Sequence, residues 1–388
     1  MESLNQKRIV IRAPGRINLL GEHLDYNHGI VLPAAINRYI EFEFEKSDAH
    51  FFRFEALDLN ENWQFSLEDL KNINSQGWQS YVKGVILLMG LDSAFANDQL
   101  TTLKGLIVRF KSNIPIGAGL SSSAALCCGL AYGLNEWFGL GKSRMELALI
   151  AQQTEHQYAG VQCGLMDQIA SLFGKENHLI AMDCLTNEIT SFSLPLVGVQ
   201  LFLIDSKVKH NLASSAYNQR RETLQKAWNR AKDLFPSLSN WRALDDKRAA
   251  QLMSALDLES QKRLQYVRQE IQGVEAIQAL SVALNNKADF EMYQSLGSLL
   301  NQTHFGLRDL YEVSCEEIDH LQTALLKNPK VLGARMMGGG FGGCLLVLAS
   351  KELQFSTLNT IFKTYEDLYH RKPTVEIVSL VEGVHRLV

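Results

Sequence analysis

The stretch "IPIGAGLSSSAA", Ile114 to Ala125, constrains the chain more than any other. Gly117 and Gly119 free the backbone for conformations that other residues avoid. Ser121, Ser122 and Ser123 then fall where an Ala- and Leu-rich helix, "AALCCGLAYGLNEWFG", begins. The first N–H groups of such a helix have no partners within it. A glycine turn leading into a helix N-terminus therefore aims aligned amides and the positive end of the helix dipole at one point, which suits a phosphate. A serine-capped helix after a tight turn is the plainer reading, but one serine suffices for a cap. The preceding run, "LKGLIVRFKSNIP", reads as a strand ending at Pro115, so the fold has to hold a strand, a glycine turn and a helix in succession.

Two other glycine clusters divide differently. "GLGKS", Gly139 to Ser143, resembles a P-loop, but that motif needs a glycine five residues before Gly141, where Glu136 stands. It also follows a helix rather than a strand, and it reads as a helix-to-helix turn. "GGGFGG", Gly338 to Gly343, lies between two expected strands, "GARMM" and "GCLLVLAS". A dinucleotide fingerprint would be followed by a helix, so that reading fails. Either it is a flexible hairpin, or its backbone closely approaches something bulky, such as the phosphates of a nucleotide.

Two stretches concentrate charge among small and apolar residues. "TEHQYAGVQCGLMDQ" carries Glu155 and Asp167; one could bind Mg²⁺ through oxygen and the other accept a proton. Alone, a helical Glu and a loop Asp are more often surface or capping residues. "GRINLLGEHLDYNHG", Gly15 to Gly29, carries Arg16, Glu22, His23 and Asp25. Turn chemistry explains Asn27 and Gly29 but not these four. His23, Asp25 and His28 lack the cysteines or the helical His spacing of a metal site. A hydroxyl-rich ligand explains the set, because carboxylates accept from hydroxyls and Arg can neutralise a developing alkoxide.

The rest of the chain sets the frame. "RIVIRAPGRINLL" and "YIEFEFEKSD" read as strands, and "RMELALIAQQTEHQYAG" as a helix. "HLIAMDCL" and "VQLFLIDSK" return to strand texture, a charged helical tract runs from about Ala216 to Lys327, and "TVEIVSLV" is a late strand. With 388 residues the chain favours two domains, divided near residue 175 into 1–175 and 176–388. A hydrophobic share of 46% against 21% charged marks a globular protein. The net charge of −4, with no Lys/Arg block, argues against a nucleic-acid partner. No run reaches the roughly 18 apolar residues of a membrane span, and the start lacks a signal-peptide core. Six cysteines without CxxC spacing read as buried free thiols, which fits a reducing cytoplasm and not zinc.

Taken together, these segments resemble the galactokinases of the GHMP small-molecule kinase superfamily. "GRINLLGEHLDYNHGIVLP" is similar to the family's sugar signature, "PIGAGLSSSAA" to its phosphate motif and "MMGGGFGGC" to its third motif. "WQSYVKGV", "CGLMDQ", "HNLASSAYNQRR" and "LRDLYEVSCEEID" also resemble galactokinase segments in the expected order, so the likeness spans nearly the whole chain. It implies an α+β, two-domain GHMP kinase fold, N-terminal ribosomal-protein-S5-domain-2-like and C-terminal ferredoxin-like, with the site between them. The implied reaction moves the γ-phosphoryl group of ATP to the anomeric hydroxyl of D-galactose, giving galactose 1-phosphate, the first committed step of galactose catabolism.

By the same resemblance Asp167 would be the catalytic base and Arg16 its electrostatic partner. Glu22, His23, Asp25, Gly164 and Tyr217 would hold the sugar hydroxyls. Gly117, Ala118, Gly119, Leu120, Ser121, Ser122 and Ser123 would wrap the phosphates, with Trp78 stacking on adenine. Ser123 and Glu155 would coordinate Mg²⁺. Three positions depart from the family pattern. Leu24 stands where galactokinases commonly carry Thr; facing the sugar it would cost a hydroxyl contact, and facing away it would be neutral. Cys127 replaces a usual Glu, and Met337 a usual Thr, each putting one local contact in question. Rival readings are the same chemistry on N-acetylgalactosamine, arabinose or galacturonate, and a sugar and ATP sensor without turnover. Glu22 would repel a uronate, which favours a neutral sugar. An interaction scaffold would leave the clustered polar residues unexplained.

Overall fold

Alternation along "RIVIRAPGRIN" and "PAAINRYIEFEFEKS" turns Ile9, Ile11, Phe42 and Phe44 to one buried side. These runs are β1 (Arg8–Asn18) and β3 (Pro33–Ser47), separated by the short β2 (Ile30–Val31). In the computed structural model, residues 8–48, 51–92, 105–115, 117, 119–208, 213–284 and 289–388 are described. Next come β4 (Phe52–Ala56), β5 (Glu61–Phe65), α1 (Trp78–Leu88) and β6 (Gly105–Ser112). With the C-terminal β13 (His385–Arg386) they form a six-stranded sheet of order β13-β1-β3-β6-β4-β5. Its pairings are antiparallel except β4 with β6.

The helix after the glycine turn, α2 (Ser122–Phe138), lies against this sheet. Gly129 and Gly133, one turn apart, make the close approach possible. A Cβ at Gly129 would sit 2.6 Å from Ala13 Cβ, and one at Gly133 would run into the Phe44 ring. Gly139, at φ 61°, closes the helix. Ser143 then opens α3 (Arg144–Tyr158) with a reciprocal capping box to Glu146, so "GLGKS" is the helix-to-helix turn expected of it. α4 (Met166–Phe173) follows and carries Asp167 in its first turn.

β7 (His178–Asp183) and β8 (Ile189–Ser193) join β2 in a three-stranded sheet. β9 (Val199–Asp205) starts the second half. The helical tract resolves into α5 (Ala213–Leu234), α6 (Asp246–Ser254), α7 (Leu258–Leu284), α8 (Phe290–Phe305), a π turn at Gly306–Leu310, and α9 (Glu316–Leu326). β10 (Val331–Met336), β11 (Cys344–Ser350), α10 (Asn359–Tyr369) and β12 (Thr374–Val378) complete it. The second sheet has the order β10-β11-β9-β12, antiparallel throughout, and every residue of β11 is buried. "GGGFGG" is the loop between β10 and β11. Among the described residues no helix is long and apolar enough to cross a membrane.

The last residues cross back to the first sheet. Arg386 and His385 pair with Ile11 and Arg12, Leu387 N donates to Val10 O at 2.8 Å, and Val384 N to Ser171 O at 2.7 Å. The division at residue 175 thus leaves the C-terminal end of the chain on the N-terminal side.

Candidate active site

The pairing of β1 with β3 slips between Pro14 and Arg16. A bulge re-aims the side chain beside it, and Arg16 turns toward α4. Its Nε donates to Asp167 Oδ1 at 2.8 Å and its Nη2 to Oδ2 at 3.3 Å, while Nη1 donates to the Gly119 carbonyl. Arg16 N also donates to Leu120 O at 3.2 Å, and Ser121 Oγ to Asp167 Oδ2 at 2.5 Å. The glycine turn is therefore built directly onto the Arg16–Asp167 pair. Gly117 and Gly119 hold φ of 76° and 73°, the left-handed backbone that makes such a turn. Ala118 lies outside the described residues.

Beside this pair is a cavity of ≈ 440 Å³. Glu22, His23, Asp25, Gly164 and Tyr217 all line it, together with Arg16, Asp167 and the first glycines of the β10–β11 loop. Residues from β1, the turn after it, α4, α5 and the β10–β11 loop thus meet in one space. Gly164 lets its strip of backbone lie against Asp25, since a Cβ there would strike Asp25 Oδ2. Burial, and after it the charges of Asp167 and Glu22, push the Asp25 carboxyl up to about 7. Burial also holds the His23 imidazole down, at about 4, so it is neutral at pH 7.

Helices of the second half hold the Gly21–Glu22 turn in place. Tyr266 Oη donates to Glu22 O at 3.0 Å, and Gly21 N donates to Glu270 Oε1 at 2.6 Å. Glu22 itself is less free than its sequence context implies. Gly338 N donates to its Oε1 at 2.8 Å, and the buried Arg335 of β10 pairs with the same oxygen. Sequence reasoning missed Arg335, although a lone Arg inside the apolar run "VLGARM" was a usable signal. The pair also corrects the argument about a uronate: Arg335 meets the charge of Glu22.

Ser123 Oγ donates to Glu155 Oε2 at 2.9 Å, and Gln168 Nε2 to Oε1 at 2.7 Å. Burial, and then the charge of Asp167, push Glu155 up to about 7. A buried carboxylate and a hydroxyl at the start of the phosphate helix are hard oxygen donors, and their excess of negative charge fits a small divalent cation. Leu24 is fully buried and packs over Gly29 rather than lining the cavity, so its departure from Thr is neutral toward a ligand there. Cys127 and Met337 are buried in the core. Trp78 stands apart from the cavity, with Nε1 donating to Glu61 Oε2 at 2.6 Å and its ring edge-on to Trp63 and Phe110.

Residues 2–44 match the family model of the galactokinase galactose-binding signature. The GHMP kinases N terminal domain matches 80–175, and the GHMP kinases C terminal domain 275–366. A galactokinase of Thermotoga maritima is 40% identical over 347 residues, 88% of this chain and 89% of its own length. This chain belongs to the galactokinase family. A crystal structure of Lactococcus lactis galactokinase complexed with galactose superposes with a TM-score of 0.87 at 28% identity, covering 98% of this chain and 96% of that one. The Methanococcus jannaschii mevalonate kinase, at 14% identity and a TM-score of 0.66 over 97% of this chain and 100% of its own, shows the wider GHMP fold alone. The galactokinase family thus accounts for the α+β architecture and makes the chain an ATP-dependent enzyme.

Proposed function

We propose that this galactokinase transfers the γ-phosphoryl group of ATP to the anomeric hydroxyl of D-galactose, and that the cavity beside Arg16 and Asp167 holds the sugar. The observation that carries this reading is the contact of the phosphate turn with Asp167 through Ser121 and with Arg16 through Gly119. A sugar in the cavity has its reacting oxygen next to a base on one side and a phosphate cradle on the other. Phosphoryl transfer asks the protein chiefly for positioning and charge neutralisation.

Asp167 takes the proton of the attacking hydroxyl. Arg16 holds Asp167 in a fixed plane and offsets the negative charge that gathers at the transferring group. Glu22 and Asp25 accept hydrogen bonds from the other hydroxyls, with His23, Gly164 and Tyr217 completing the wall. The segment from Gly117 to Ser123 binds the phosphates, and Trp78 is the adenine-side aromatic. Ser123 and Glu155 would hold Mg²⁺, which supplies Lewis-acid charge to the phosphate oxygens when bound. The six unpaired cysteines fit a reducing cytoplasm.

A panel of galactose, N-acetylgalactosamine, arabinose and galacturonate, each with ATP and Mg²⁺, tests the reading by kcat/KM. Galactose is expected to lead by at least about tenfold, roughly one lost hydroxyl contact. Equal or higher kcat/KM for another sugar would replace galactose as the substrate.

A further inference from the structure

Tyrosines from distant parts of the chain surround His23. Ring centroids lie 4.6 Å away for Tyr311, 5.5 Å for Tyr217 and 5.9 Å for Tyr26. Two of these also form a hydrogen-bonded row with it. His23 Nδ1 is 2.8 Å from Tyr26 Oη, which is 3.0 Å from Tyr311 Oη.

Counting hydrogens orients the row. Each phenol has one hydroxyl hydrogen to give, and burial pushes both phenols well above their ordinary range, so both keep it. Among the described residues Tyr311 Oη has no other hydrogen-bond partner. If Nδ1 carried a hydrogen, it would donate to Tyr26, Tyr26 would donate to Tyr311, and the Tyr311 hydrogen would be buried with no acceptor. A charged imidazole leads to the same orphan. With Tyr311 donating to Tyr26 and Tyr26 donating to Nδ1, both hydrogens are used. The ring hydrogen then sits on Nε2. That atom is buried, has no partner among the described residues, and belongs to a residue lining the cavity. A buried polar atom without a partner, at the wall of a cavity, is satisfied when a ligand arrives.

We infer that Tyr26 and Tyr311 are positioning residues that hold His23 as the Nε2–H tautomer, so that His23 donates a hydrogen bond to one oxygen of the bound sugar. This rests on the placement of the sugar proposed above. It divides the recognition between two kinds of group. Glu22 accepts, and so requires a hydroxyl hydrogen; His23 gives, and so requires a lone pair. A sugar carrying fluorine at the His23 position keeps an acceptor, whereas a deoxy sugar keeps none.

The tautomer is read directly by nitrogen NMR of the full chain labelled at histidine, without sugar, with the His23 signals identified by their loss in His23→Gln. Wild type is expected to show a bare Nδ1 and a protonated Nε2, and both Tyr26→Phe and Tyr311→Phe to show mixed or reversed tautomers. A protonated Nδ1 in wild type, or no change in either variant, overturns the proposal. The second arm measures kcat/KM for monodeoxy and monofluoro galactoses at each carbon. At one position the fluoro sugar should outperform the deoxy sugar by about tenfold, a difference the size of one hydrogen bond. That ratio should fall toward one in Tyr26→Phe, with KM for galactose rising more than kcat falls, as expected for lost ground-state binding. Equal deoxy and fluoro values at every position in wild type overturn the donor role. Failure of wild type to phosphorylate galactose would instead overturn the proposed substrate, and the sugar-free tautomer measurement still decides the row.

Discussion

Asp167 has both carboxylate oxygens held, Oδ1 by Arg16 and Oδ2 by Ser121 with a second reach from Arg16. Asp167→Asn keeps the size of the side chain and removes its ability to take a proton. Turnover is expected to fall by about 10²–10⁴-fold, the usual worth of a positioned base, while ATP affinity measured by calorimetry stays within a few fold. Asp25 makes a different prediction. Its folded carboxyl is raised to about 7 from an ordinary 3.8, so the folded protein holds that proton more tightly than the unfolded chain does. Its contribution is fully present below about pH 4 and is lost as pH rises through 7. Asp25→Asn should therefore raise the sugar-free melting temperature relative to wild type, and by more at pH 8 than at pH 5. A gap that does not widen with pH would show that Asp25 is not buried as a carboxylic acid. Arg16, Glu22, His23, Asp25 and Asp167 were legible in the sequence because charge amid small and apolar neighbours needs a partner or a ligand. Arg335 carried that same signal and was missed, whereas Tyr311 was not legible, because its partner Tyr26 lies 285 residues away. Separation of that kind leaves no local pattern.

Elements were legible in proportion to their own periodicity. β1, β3, β6, α2 and α3 carry their apolar spacing and their stops within themselves. β2 and β13 have two residues each, and pairing with β7 and β1 is what makes them strands. No propensity argument finds a strand that its neighbour creates. The capping box that opens α3 is a local device whose cost can be isolated. Ser143→Ala removes the hydroxyl that accepts from Glu146 N. It is expected to cost about 1 kcal/mol, seen as a small drop in melting temperature with kcat and KM unchanged. A changed kcat would mean that α3, which carries Glu155 in its last turn, transmits its N-terminal fraying to the site.

At the scale of the molecule, the two halves of the sequence are interleaved rather than placed side by side. The signature turn of the first half is held by Tyr266, Glu270 and Arg335 of the second. The final residues in turn run along β1, whose far end bears Arg16. A chain ending at residue 379 loses the pairing of Ile36 with Leu380 as well as β13. It should melt several degrees lower and lose most of its activity, although no residue of the cavity is removed. Normal activity in that truncated chain would show that β1 needs no cover. β13 also bears on how the first sheet closes. Until it arrives, β1 is an uncovered border of that sheet. The sheet is therefore completed by pairs 373 and 375 positions apart, a closure that the chain can make only after nearly all of it has been gathered in.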